Sequence, residues 1–266
     1  PPRCGKTTVV RRVIAQLRDV RLAGFYTQDA ATDDVAISRL SYASCSWRFY
    51  SLFSSRCFPS RTADDAGVRI ITGDTKVVDR GRGDGIYINT AGIGLVGPET
   101  DIRPGCVEPG DAVLVSGDLG RHGIAIMSVR EGLEFAGAPE SDCAPLHELV
   151  EALLAAGSEL HCLRDLTRGG LAAALNEIAR HTGLGIDFDE AAIPVSDGVR
   201  GACELLGLDP LFVANEGRLV AFCPAEAAEE VLRLMAAYPG AESPAVVGLV
   251  VEERPGIVEL QSPFGG

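Results

Sequence analysis

Four short stretches hold the reactive side chains of this chain. The first, Gly73-Asp74-Thr75-Lys76, closes an apolar run of Val68, Ile70 and Ile71. A strand that stops there brings a carboxylate, a hydroxyl and an ammonium to one strand end, beside exposed backbone N–H groups. Those are the parts needed to hold a magnesium-phosphate group. A plain turn with a solvated Asp and Lys is the other reading. In the second stretch, SGDLGRHG at 116–123, the glycines let the backbone approach a ligand, and His122 stands where a strand gives way to a helix. From there it donates to a phosphate, shuttles a proton or serves as a structural histidine.

The third stretch, RDLTRGG at 164–170, leads a strand into a helix whose free N–H groups favour an anion. Asp165 or Thr167 is also a natural N-cap for that helix. Arg168 is harder to place as mere structure, because a cation near a helix N-terminus is unfavourable unless something anionic binds there. The fourth, LFVANEG at 211–217, sets Glu216 between an apolar run and the apolar strand Leu219 to Phe222. A carboxylate so placed is partly buried and shifts toward the range of a general base, unless the segment is a plain hairpin turn.

Several elements must position these groups. The pattern predicts short strands over 66–115, ending in the buried run Ala112 to Val115, and further strands at 160–164, 185–189, 218–223, 245–251 and 256–260. Helices are expected after the 116–123 stretch through about Phe135, at 145–156 and 169–182, and near 197–207 and 225–238. Mixed strands and helices of this kind fit an α+β sandwich better than strict βαβ alternation.

A chain of 266 residues with 46% hydrophobic and 23% charged content builds a real core. No apolar run approaches a membrane span, and no signal peptide opens the chain. The eight cysteines lie at least twelve positions apart, which excludes CxxC pairs and points to buried free thiols in a reducing cytoplasm. A net charge of −13 argues against nucleic acid as a partner but leaves nucleotide binding open. The charge is uneven: residues 1–61 carry ten Lys or Arg against four Asp or Glu, and residues 62–266 carry fourteen against thirty-three. Four segments follow: 1–30, an irregular junction at 31–61, a partial β-rich domain at 62–109, and an α+β domain at 110–260. Cys4-Gly5-Lys6-Thr7-Thr8 resembles the second half of a P-loop, and with LAGFYT at 22–27 it marks the first segment as a P-loop remnant. The start at Pro1 suggests a chain cut from something longer.

Taken in order, GDTKVV, INTAGIG, SGDLGRHG, RDLTRGG, CELLGLDPL and VANEGRLV resemble the HypE family of hydrogenase expression/formation proteins, from about residue 62 onward. HypE proteins are carbamoyl dehydratases in the aminoimidazole ribonucleotide synthetase superfamily. The resemblance implies that superfamily's fold, here as a partial N-terminal β-rich half-domain and a complete C-terminal α/β sandwich. It implies ATP and Mg²⁺ as cofactors, and dehydration of an S-carbamoyl cysteine to the thiocyanate that becomes a cyanide ligand of [NiFe]-hydrogenase iron. Asp74 would hold magnesium, while Thr75, Lys76, Thr167, Arg168, Gly169, Gly170 and Asn215 would contact the nucleotide. Glu216 would be the base, with His122 and Asp165 as further proton-handling candidates. Implied partners are the carbamoyltransferase HypF, the HypC–HypD complex and a second copy of the chain. Three departures stand against this: the family's N-terminal half-domain is largely absent, Leu166 replaces the proline of D-P-T-R-G-G, and no terminal cysteine follows Gly266. A P-loop nucleoside-triphosphatase with an appended domain, or a non-catalytic docking module, are the competing readings.

Overall fold

The computed structural model describes residues 22–24, 68, 79, 82, 93–96, 100–132 and 139–262. The tetrad with Asp74, Thr75 and Lys76, the P-loop-like stretch 4–8 and the junction at 31–61 lie outside the described residues. The strands are β1 (Leu22–Gly24), β2 (Ile93–Leu95), β3 (Asp111–Val115), β4 (Cys162–Asp165), β5 (Gly185–Asp189), β6 (Leu219–Pro224), β7 (Ala245–Val251) and β8 (Val258–Gln261). The helices are α1 (Arg121–Glu131), α2 (His147–Ala155), α3 (Gly170–Thr182), α4 (Asp197–Leu206) and α5 (Ala228–Ala237).

Alternation along the central strands divides the core in two. Successive side chains of a strand point to opposite faces, so β3, buried at all five positions, must be covered on both sides. Val113 and Val115 join Val220 and Phe222 of β6 in one apolar cluster, closed by Leu171, Leu175 and Ile178 of α3. Ala112 and Leu114 join Leu219, Ala221 and Cys223 in the other, closed by Leu149 and Leu153 of α2 and Val231 and Met235 of α5. Each such large aliphatic side chain, fully buried, contributes about 1.5–3 kcal/mol. The sheet order is β4-β6-β3-β7-β5-β8, antiparallel throughout except for the β5–β8 pair. Separately, β1 pairs antiparallel with β2, Leu22 opposite Leu95. This is the α+β sandwich that the periodicity implied.

Two local expectations differ from the structure. The helix expected to run through Phe135 ends at Glu131, because Gly132 adopts the left-handed conformation (φ 63°) and its N–H turns back to Ser128 O. The apolar run at 211–213 enters a 3₁₀ turn (Pro210–Phe212), started by Pro210 and by an Asp209 carboxylate that accepts from Leu211 N at 2.9 Å. The segment before β6 is therefore no β-hairpin.

Candidate active site

Antiparallel pairing decides which loops meet. Val115 lies opposite Val220 and Ala245, and Asp165 lies opposite Leu219. The C-terminal ends of β3 and β4 therefore share one sheet end with the approach to β6. Three of the four reactive stretches, 116–123, 164–170 and 211–217, converge there.

Buried polar bonds lock them together. Asn215 has no exposed surface. Its Oδ1 accepts from Gly120 N at 2.7 Å, and its Nδ2 donates to Leu166 O and Val213 O at 3.1 and 3.2 Å. One amide thus ties all three loops, and its hydrogen bonds are spent inside the protein. Arg218, 3% exposed, ion-pairs with Asp118 at 2.6 Å and donates to the Asp118, Gly217 and Gly240 carbonyls. Such a buried pair is tolerated when further hydrogen bonds satisfy the guanidinium. Leu166 contributes from both sides: its side chain is fully buried in the core, and its N–H donates to Arg218 O at 3.0 Å. A proline at this position has no N–H for that bond.

At 164–170, neither Asp165 nor Thr167 caps α3; Gly169 holds the N-cap position in the left-handed conformation (φ 80°). A Cβ on Gly170 would lie 2.4 Å from Leu211 O, so only glycine lets α3 start this close to the 211–213 segment. Both Asp165 oxygens are engaged: Oδ1 pairs with Arg164 at 2.5 Å, and Oδ2 accepts from the Thr167 hydroxyl at 2.6 Å. Arg168 is exposed, makes no ion pair among the described residues and stands just before the α3 N-terminus. An anion would satisfy it and the helix end together.

Glu216 is the unusual group. Burial is the main force that pushes its carboxyl up to about 7; the Asp142 and Asp165 carboxylates add to it, and Arg168 opposes it. A carboxyl so poised exchanges protons near neutrality. His122, the second residue of α1, bonds Ser141 Oγ through Nδ1 at 2.9 Å. Burial lowers its pKa, with Asp142 opposing, which favours the neutral imidazole.

Sequence reasoning missed Asp142 and Ser141 and gave Asp118 and Arg218 no role, although the last two lie inside quoted motifs. Asp142 arrives from the chain between α1 and α2 and carries no local pattern that marks it. Its Oδ2 accepts from Glu216 N and Gly217 N, both at 3.2 Å. The expected buried thiols are present as Cys162, Cys203 and Cys223, with Cys162 pushed up to about 12 and Cys223 up to about 11 by burial. At such values they are inert as nucleophiles.

The family model of the AIR synthase related protein, C-terminal domain, matches residues 108–261. The chain is 52% identical over 204 residues to carbamoyl dehydratase HypE of Azotobacter vinelandii, a match covering 77% of this chain and 60% of that protein. It is 46% identical over 195 residues to carbamoyl dehydratase HypE of Escherichia coli strain K12, covering 73% and 58%. It therefore spans about three fifths of the length of the curated relatives it matches. Among solved structures, it is similar to hydrogenase maturation protein HypE in complex with ATP, with a TM-score of 0.74 and 44% identity, over 77% of this chain and 63% of that one. A chain of the HypE–HypF complex gives a TM-score of 0.73 and 40% identity, over 78% and 67%. With the motif order, the sheet and the family model in agreement, the chain belongs to the AIR synthase related proteins, in the HypE family of hydrogenase maturation proteins.

Proposed function

We propose that this chain carries the proton-handling half of an ATP-dependent carbamoyl dehydratase that converts an S-carbamoyl cysteine to a thiocyanate for the cyanide ligands of [NiFe]-hydrogenase iron. The observation that supports it best is Glu216: a half-buried carboxyl raised to about 7 at the junction of three interlocked loops. A primary amide loses two N–H protons as its C–O bond breaks and a C≡N bond forms, so the reaction needs a base that works at neutral pH. Glu216 takes a proton from the amide nitrogen. His122, held on Ser141, is the second proton carrier. Asp165 acts through Thr167, whose hydroxyl it orients, and Asn215 braces the loops.

ATP supplies the phosphoryl group that makes the amide oxygen a leaving group. Arg168, which makes no ion pair among the described residues, and the α3 N-terminus fit a phosphate, with Thr167, Gly169 and Gly170 beside them. Among the described residues no group of three His, Cys, Asp or Glu could hold a metal. On the motif Gly73-Asp74-Thr75-Lys76 we assign a magnesium ion to Asp74, with Thr75 and Lys76 on the phosphates. HypF stands in complex with a HypE relative, and we take it, the HypC–HypD complex and a second copy of the chain as partners in the cytoplasm. Among the described residues no helix is long and apolar enough to cross a membrane.

The test supplies ATP, magnesium and an S-carbamoylated cysteine peptide, and follows phosphate release and loss of water from the peptide by mass. Glu216→Gln keeps size and hydrogen bonding but removes basicity, and should slow dehydration by about 10²–10⁴-fold. A variant that dehydrates at the parent rate removes Glu216 from the mechanism.

A further inference from the structure

The turn that carries Glu216 is held by a carboxylate, although an uncharged acceptor would serve as well. Asp142 is 6% exposed. Its Oδ2 accepts the Glu216 and Gly217 N–H groups, and Gly217 packs so closely that a Cβ there would lie 2.0 Å from Asp142 O. Its Oδ1 is buried without any hydrogen-bond partner. A clamp for two N–H groups needs only one acceptor oxygen, which asparagine also provides. A buried carboxylate with one bare oxygen is the more costly solution, because the charge loses hydration without full compensation. An arrangement this unfavourable invites a role for the charge itself, and the titratable groups that feel it are Glu216, whose own N–H it accepts, and His122.

We propose that Asp142 is the positioning residue of this site: it holds the turn of Glu216 through the N–H groups of Glu216 and Gly217 and, through its uncompensated charge, adds to burial in tuning the strength of the Glu216 base. The inference rests on Glu216 being the base named above. The charged and titratable groups that act on Glu216 are Asp142, Asp165 and Arg168. Asp165 is ion-paired with Arg164 and accepts from the Thr167 hydroxyl, whereas Asp142 has no cation paired with it among the described residues. His122 faces Asp142 from α1 and is held neutral by burial. The fixed negative charge beside Glu216 therefore comes chiefly from Asp142. It discourages ionisation of the neighbouring carboxyl, which keeps the conjugate base strong at neutral pH.

The experiment titrates Glu216 in the chain itself, by carbon NMR of isotope-labelled glutamate side chains, with Glu216→Gln identifying the resonance. In Asp142→Asn the clamp is kept and the charge is lost, so the Glu216 midpoint should fall by about one pH unit. The rising limb of the pH profile for dehydration should move down with it. A clamp of purely structural value leaves the midpoint unmoved, and coincident titrations of parent and Asp142→Asn overturn the proposal. Should the Asn variant fail to fold, Asp142→Ser, whose hydroxyl still accepts an N–H, carries the same comparison. A shifted midpoint in a protein that dehydrates nothing supports Asp142's role and counts only against the proposed reaction.

Discussion

Glu216 is a place where the native state tolerates a destabilising group. Its carboxyl is raised from the ordinary 4.5 to about 7, so between those values the folded protein holds a proton that the unfolded chain has released. Stability from this group is fully present below about pH 4.5 and is lost as pH rises through about 7. Glu216→Gln cannot ionise and escapes that loss. The melting temperature of the variant, relative to the parent, should therefore climb between pH 4.5 and pH 7 and level off above. An offset that stays constant across this range would mean that the carboxyl titrates normally. The sign sets activity against stability: the substitution expected to abolish base catalysis is also expected to stabilise the fold at pH 8.

At the scale of elements, the site is a set of loops whose mutual order depends on one amide. Asn215 reaches the loop after β3 through Gly120 N and the loop after β4 through Leu166 O. Asn215→Ala leaves the buried Gly120 N–H and the Val213 carbonyl without this partner, while Leu166 O keeps the N–H of residue 215. At about 1–3 kcal/mol for each buried group left unsatisfied, and with partial relaxation, a loss of about 2–4 kcal/mol follows. A lower urea midpoint at unchanged slope would show it. A variant as stable as the parent would mean that the loops are held mainly by the neighbouring Arg218–Asp118 pair.

For the whole molecule, the question is where nucleotide binds. The chain carries two phosphate-loving stretches, the P-loop-like Lys6-Thr7 and the Gly73–Lys76 tetrad, and the two readings assign ATP to different parts of it. If the tetrad is the site, titration calorimetry should show binding that requires magnesium and weakens in Asp74→Asn, while Lys6→Ala leaves it unchanged. Binding abolished by Lys6→Ala instead would hand the nucleotide to the first segment and restore the P-loop reading. Overall charge does not decide the matter: at −13 the molecule repels a polyanion, but a single metal-nucleotide needs only local compensation.

Much of this protein was legible before any coordinates, because its strongest signals are local. Strands β5 and β7 fall where alternation and turn residues placed them, and α3 lies within one residue of its expected span; backbone periodicity depends on neighbours in sequence. Glu216 could be suspected for the same reason, as a carboxylate squeezed between two apolar runs. What stayed hidden depends on groups far apart in the chain. Asp142 touches Glu216 across seventy-four positions, and Asn215 reaches Gly120 across ninety-five; no pattern within a window reports such a pair. Even the role of Leu166, a departure from the family's proline, emerged only when its N–H was seen to meet Arg218 O. Sequence determined the elements and the residue types available at their ends. Tertiary structure decided which ends share one edge of the sheet, because antiparallel register, rather than order along the chain, brings β3, β4 and β6 to the same side.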